Sequence, residues 1–299
     1  MEITTRAIQG RFLLRPSRKL NAVIVGILHR AAAMYGMVIH AFFVASNHYH
    51  LIVSIPDVRA LALFMNFVNG NTAREAGQLH DWHDKFWSRR YTAIEIIDEA
   101  AQIDRLDYLL SNGCKEGLVA DPREWPGATC VHSLLDGTSV SGIWIDRTAM
   151  WAALRAGEDC SEERFTEQVE LELTPLPCWA EIDEDERRAK VASMVDDIVD
   201  RTREVNRALG RRPLGAKKIL AQNPHDHPES PKKGPAPRCH ASTIERWQEF
   251  VDDYRAFVHE YHEASRLLLD GAIGAVFPPN CLLPPLAYRR LPGPPQAPT

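Results

Sequence analysis

From Met37 to Ile55 the chain is dominated by apolar, β-branched and aromatic residues, and the run is broken at Ser46-Asn47. Two such runs flanking a two-residue break read as a β-hairpin, Met37 to Ala45 paired with His48 to Ile55. Pro56-Asp57 ends the second strand. Side chains alternate between the faces of a strand, so His48 and His50 project to one side and Tyr49 to the other. Leu51, Ile52 and Val53 follow directly, which predicts a central strand where imidazoles need a partner or a ligand. Two imidazoles on one face make half of a metal site.

The flanking segments extend this hairpin into a fold class. Glu2 to Gln9 alternates weakly and is expected to be a first strand. Arg18 to Tyr35 carries Leu20, Val23, Ile24, Ile27, Leu28 and Ala31 at helical spacing, with Gly36 as the stop. Val58 to Leu79 is a second predicted helix with Gly70-Asn71 as a weak point. Phe86 to Ile97 is a fourth strand, and Asp98 to Asn112 a helix stopping at Gly113. The order β-α-β-β-α-β-α predicts an α+β, ferredoxin-like antiparallel sheet with helices over one face and a further helix free to lie elsewhere.

Composition divides the rest of the chain. There are 299 residues in all, 45% of them hydrophobic, with a net charge of −5. Glu158 to Glu186 holds twelve carboxylates against one arginine, whereas Arg201 to Arg238 holds ten Lys and Arg against three acids. That asymmetry points to an anionic partner for one segment only. The first domain is expected to span 1–142, with a boundary near Gly142 after a turn-rich stretch from Ser133 to Ser141. A mostly helical accessory domain, 143–299, comes next, with helices expected over Ile143–Ala156, Val191–Leu209 and Glu245–Leu269. A linker lies near 223–240, and a proline-rich tail runs over 277–299. Six scattered cysteines without a C-x-x-C pair, and the lack of a signal pattern at the N-terminus, read as reduced thiols in a cytoplasmic protein. No apolar run approaches the length of a membrane span.

Tyr108 and Asn112 lie four residues apart, hence on one face of the helix after the fourth strand. Laid across the histidine face, that helix offers Asn112 as third ligand to a divalent cation held by His48 and His50. The cation would polarise a phosphate oxygen, and Tyr108 would attack phosphorus. A free tyrosine, with a pKa of about 10, is largely un-ionised at neutral pH and needs that assistance. Alone, an H-x-H on a strand is more often a satisfied pair than a metal site, and a lone tyrosine beside Leu106, Leu109 and Leu110 more often packs. Their combination at this order and spacing reverses both expectations. His225-Asp226-His227, between Pro224 and Pro228, has no strand to orient it and reads as an exposed loop.

Asn47-His48-Tyr49-His50-Leu51, then Phe86-Trp87-Ser88-Arg89-Arg90-Tyr91, then Tyr108-Leu109-Leu110-Ser111-Asn112 and Gly117-Leu118-Val119 resemble the single-tyrosine HUH transposases, closest to the REP-associated tyrosine transposases. The resemblance covers about Ile3 to Gly127. It implies His48 and His50 as metal ligands, Asn112 as the third, Tyr108 as nucleophile, and Mg²⁺ or Mn²⁺ as cofactor. It also implies the activity: nicking of single-stranded DNA beside hairpins through a 5′-phosphotyrosine intermediate, and strand transfer, that is, DNA transposition. Two stretches depart from the family pattern. Tyr49 stands where the family prefers an aliphatic residue, and Gly113-Cys114-Lys115-Glu116-Gly117 stands where it often has Pro-Val-Arg-Ala-Gly, making Lys115 the substitute for the arginine.

Candidate nucleic-acid contacts are Arg89 and Arg90, of which one is expected to face the ligand, with Lys115 and the basic Arg211, Arg212, Lys217 and Lys218. The last four lie in a segment, Val199 to Leu220, that reads either as a helix-turn-helix-like phosphate contact or as a basic helix neutralising an acidic neighbour. Trp87 suits base stacking or core packing equally. The expected partner is single-stranded DNA with hairpins, bound by a monomer or homodimer. One alternative function is a domesticated hairpin DNA- or RNA-binding regulator without cleavage. Another is a replication initiator or relaxase, which a second tyrosine one turn from Tyr108 would favour; Asp104 and Asn112 occupy those places.

Overall fold

The computed structural model describes residues 1–228, 237–272 and 274–284. Strand β1 (Glu2–Arg6) leads through a 3-10 turn at Ile8–Gly10 into helix α1 (Arg18–Tyr35). The Ser17 side chain accepts a hydrogen bond from the Leu20 amide at the start of α1, and Gly36 closes it at φ 63°. Strands β2 (Val38–Val44) and β3 (His48–Ser54) form the expected hairpin. Helix α2 (Val58–His80), capped by Asp57, returns the chain to β4 (Thr92–Ile96). Spatial order is β2-β3-β1-β4 with antiparallel neighbours throughout, the ferredoxin-like arrangement.

The first strands are buried on both faces, which is why Ala41–Phe43 and Leu51–Val53 read as continuous apolar runs rather than alternating ones. Phe42, Phe43, Phe64, Ile27, Leu28, Leu51 and Ile52 are among the largest fully buried side chains, each contributing roughly 1.5–3 kcal/mol by leaving water. Tyr49 points to the side covered by α2, where its hydroxyl donates to Asn69 Oδ1 at 2.6 Å. That bond supplies the polar partner a buried phenol requires. Its ring meets Trp87 edge-on, with centroids 5.7 Å apart.

Helix α3 (Glu99–Leu110), begun by an Asp98 cap, crosses the opposite face of the sheet and runs on as α4 (Asn112–Lys115). The helix does not stop at Gly113, as its glycine suggested. Gly113 instead permits close approach, since a Cβ there would lie 3.1 Å from the Trp125 ring and 3.2 Å from Val119. The fourth strand is also shorter than expected. Phe86 to Ser88 instead pairs with the end of β1, through Ile8 N–H to Phe86 O at 2.7 Å and Ser88 N–H to Arg6 O at 2.9 Å. The Trp87 indole donates to Asn69 O at 2.9 Å, drawing this segment over α2.

The later part contains α5 (Val131–Asp136), β5 (Val140–Ile145), α6 (Arg147–Ala156), β6 (Thr166–Leu171), α7 (Glu184–Ala208), α8 (Ala216–Leu220), β7 (Cys239–His240) and α9 (Ile244–Leu269). It is mostly helical, and the boundary expected near Gly142 falls inside β5. The β5-β6 antiparallel pair, with α6 between its strands, escaped the sequence reading although Val169 and Leu171 alternate with exposed Glu167, Gln168 and Glu170 closely enough to mark an amphipathic strand. This two-stranded sheet lies on α1 at Gly26, where an added Cβ would sit 1.8 Å from the Ile143 carbonyl oxygen. Gly26→Ala is therefore expected to cost at least the usual 1–3 kcal/mol or so of overpacking, read as a lower denaturant midpoint.

Helix α7 begins earlier than its apolar spacing suggested because Asp183 accepts from the Glu186 amide, with Glu184, Asp185 and Glu186 in the first turn. Carboxylates at its start and arginines towards its end suit the helix dipole, so part of the charge asymmetry lies within one helix. Val199 to Leu220 is not a pair of comparable helices, since only the five-residue α8 follows α7. Residues 229–236 of the expected linker and 285–299 of the expected tail lie outside the described residues. No helix among the described residues is long and apolar enough to cross a membrane.

Candidate active site

The strand register builds the floor. Arg6 faces His48 and Thr4 faces His50 across β1 and β3, and with a period of two Glu2 shares that face. The His48 and His50 ring centroids are 5.1 Å apart. His48 Nδ1 lies 2.7 Å from Asn47 Oδ1. His50 Nδ1 lies 2.8 Å from Glu2 Oε1 and 3.2 Å from Thr4 Oγ1. Burial lowers the His48 pKa well below its ordinary value, reinforced by His50 and Arg6 and opposed by a hydrogen bond with the Asn112 side chain.

Helix α3 supplies the roof. Tyr108 meets the His50 ring edge-on with centroids 5.7 Å apart, and Asn112, almost fully buried, reaches His48. Thus Tyr108, Asn112, His48 and His50 converge, as the sequence predicts. Two cations flank the tyrosine ring: Arg105 Cζ at 4.4 Å and Lys115 Nζ at 4.2 Å from its centroid. Burial lowers the Lys115 pKa, with Asp107 opposing and Arg105 reinforcing the shift.

Glu2, Arg105 and His240 are the members the sequence reading missed. Glu2 Oε2 lies 2.7 Å from His240 Nε2 and 3.6 Å from Arg105 Nη1. Burial opposes ionisation of this carboxyl, yet the neighbouring His240 and His50 hold it far below the usual carboxylate range. A usable signal was the position of Glu2 on the same strand face as Thr4; nothing local marked His240.

Among the described residues no group of three or more His, Cys, Asp and Glu could hold a metal. The convergent set is two imidazoles and a carboxamide. It fits a divalent cation because Asn47 and Glu2 occupy the Nδ1 atoms, leaving each Nε2 as the ring nitrogen not engaged by those partners, and because His48 is held neutral. Ligating imidazoles commonly have such outer partners.

Arg89 and Arg90 lie away from this floor, in a groove of about 1170 Å³ with Arg74, Lys85, Trp82 and Trp151. Trp151 is 57% exposed there. The segment that carries Arg211, Arg212, Lys217 and Lys218 is tied to the chain just after α4, with Arg211 beside Gly117. Leu214 N–H donates to Gly117 O at 3.0 Å and Gly215 N–H to Leu118 O at 2.8 Å. His225 is a loop residue, with Nε2 2.9 Å from His80 O.

No curated protein matches the chain. A solved structure of a REP-associated tyrosine transposase bound to a REP hairpin is similar at 18% identity over 45% of this chain and 78% of that one, with a TM-score of 0.34. Residues 16–109 match the family model described as IS200-like transposase, a stretch that includes His48, His50 and Tyr108. Over these residues the chain is similar to the IS200-like transposases.

Proposed function

We propose that the chain nicks single-stranded DNA beside hairpins and transfers the cut strand, using Tyr108 as nucleophile and a divalent cation, Mg²⁺ or Mn²⁺, on His48, His50 and Asn112. The observation that carries this reading is the meeting of Tyr108 with the paired histidines, ring to ring at 5.7 Å, while Asn112 reaches His48. When bound, the cation supplies Lewis acidity to a non-bridging phosphate oxygen. Asn47 and Glu2 orient the imidazoles. Tyr108 Oη forms a bond to phosphorus as the bond to the 3′ oxygen breaks; the phenol loses its proton and the 3′ oxygen gains one. Arg105 and Lys115 stand where a phosphate approaching Tyr108 would meet positive charge. The product ester keeps the energy of the diester, so a second 3′ hydroxyl can reverse the step and join a new strand.

The tyrosine and histidines meet within one chain, which supports a site assembled in cis. The part before β5 serves as the catalytic part, and the later part as an accessory part whose Arg211, Arg212, Lys217 and Lys218 contact phosphate. The hairpin preference rests on the family resemblance. Incubation of the purified chain with single-stranded hairpin oligonucleotides and Mn²⁺ tests the reading: a denaturation-resistant protein-DNA adduct and a free 3′ hydroxyl are expected. Adduct formation undiminished in chelator would contradict the cation's role, and binding to hairpins without cutting would favour the regulator.

Lys85, Arg89 and Arg90 line one groove together. Removing Arg89 and Arg90 together is expected to weaken hairpin binding at low salt. It should reduce the slope of log K against log salt by about 1 for each phosphate no longer neutralised.

A further inference from the structure

Strand β7 belongs by sequence to the C-terminal part, yet it adds in parallel to the outer edge of β4, with Ile96 opposite His240. Two further bonds hold it there: Ile97 N–H to His240 O at 3.1 Å and Ser242 N–H to Asp98 Oδ2 at 2.8 Å. The second ties β7 to the residue that caps α3, the helix bearing Tyr108. This placement brings His240 Nε2 within 2.7 Å of Glu2 Oε2.

Glu2 is 4% exposed. A carboxylate buried so deeply persists only with several charged or hydrogen-bonding partners. Its two oxygens divide the task. Oε1 faces His50 Nδ1 at 2.8 Å, while Oε2 faces His240 at 2.7 Å and Arg105 at 3.6 Å. His240 Nε2 stands against Oε2 as a close neighbour without hydrogen-bond geometry; it bounds the carboxylate on the side away from His50, with Oε1 aimed at Nδ1. An imidazole that donates from Nδ1 to a fixed carboxylate presents its Nε2 lone pair in one direction.

We propose that Glu2 and His240 are positioning residues for His50, so that the two-residue strand from the C-terminal part is a working component of the cation floor. This rests on reading His48, His50 and Asn112 as the cation site. Truncation before β7 would leave the ferredoxin-like strands in place but remove one of the groups that orient Glu2. Arg105 alone would remain on Oε2, at a longer distance and shared with the Tyr108 ring.

The test is a titration of the full-length chain with Mn²⁺ alone, following free Mn²⁺ by electron paramagnetic resonance, with Co²⁺ absorption spectra recorded alongside. Wild type is compared with His240→Ala, His240→Gln, Glu2→Gln and His50→Ala, each checked for a cooperative thermal transition. Loss of an outer partner of a metal ligand typically lowers affinity about 10- to 100-fold. His240→Ala and Glu2→Gln are therefore expected to weaken Mn²⁺ binding by that factor and to shift the Co²⁺ bands. His240→Gln, whose amide can set an N–H against Glu2, should restore much of the affinity. Wild-type affinity and spectra in His240→Ala and Glu2→Gln, alongside lost binding in His50→Ala, would overturn the positioning role while leaving the cation site standing. Mn²⁺ binding unchanged in His50→Ala, or none by wild type, would overturn both. A His240→Ala defect that His240→Gln does not relieve would assign the effect to β7 packing and contradict the proposal.

Discussion

Tyr108→Phe is expected to eliminate the covalent protein-DNA adduct while leaving hairpin affinity within a few-fold of wild type. The substitution removes one oxygen and keeps the ring that Arg105 and Lys115 approach at 4.4 and 4.2 Å. Packing and cation contacts therefore survive. Removing the nucleophile of a covalent mechanism typically costs about 10⁶ in turnover, which takes cleavage below detection on a sequencing gel. Cleavage by Tyr108→Phe at the wild-type rate would remove Tyr108 from the mechanism.

His48→Ala and His50→Ala carry the second large effect. Each deletes an imidazole from the proposed cation floor, and metal assistance is worth several kcal/mol at a phosphoryl centre, or about 10²–10³-fold in rate at the least. The two variants should differ in stability. His48 is half-buried and held neutral, with Asn47 and Asn112 as its partners, so its loss leaves neutral groups behind. Loss of His50 withdraws one partner from buried Glu2, although His240 and Arg105 remain. His50→Ala should consequently melt lower than His48→Ala in a thermal scan. A mixture of Tyr108→Phe and His48→Ala chains should remain inactive if each site is assembled in cis. Recovered cleavage would place the tyrosine of one chain over the histidines of another.

Much of the N-terminal part was legible because its signals are local. Helix α1 spans Arg18–Tyr35, as its apolar spacing and the glycine after it predict. The hairpin bounds follow from two apolar runs and a short break, and the common face of His48 and His50 follows from the period of a strand. Tyr108 and Asn112 share a face although α3 gives way to α4 between them, because Ser111 keeps a right-handed helical conformation there. Trp87 was equally suited to stacking or packing, and only the sheet geometry puts its indole against Tyr49 and Asn69.

What escaped was non-local or hidden by composition. Glu2 and His240 are brought together by strand pairing across nearly the whole chain, and no short motif encodes that contact. The β6 strand was obscured by its acidic surroundings, which drew attention to charge rather than to the alternation of Val169 and Leu171. The sequence places a domain boundary near Gly142. That glycine is a close-approach point instead, since a Cβ there would lie 2.7 Å from Val25 Cγ1. The early start of α7 was encoded after all, by an Asp183 cap followed three residues later by Glu186.

The central claim is that Tyr108 becomes joined to DNA. It is tested most directly by isolating the adduct formed with a 5′-cut hairpin oligonucleotide and Mn²⁺, digesting protein and DNA, and sequencing the nucleotide-bearing peptide by tandem mass spectrometry. A single modification is predicted, a phosphodiester between the Tyr108 phenolic oxygen and the 5′ end of the released strand. A nucleotide carried on Tyr49, Tyr91 or a serine, or cleavage that proceeds with no covalent peptide at all, would contradict it.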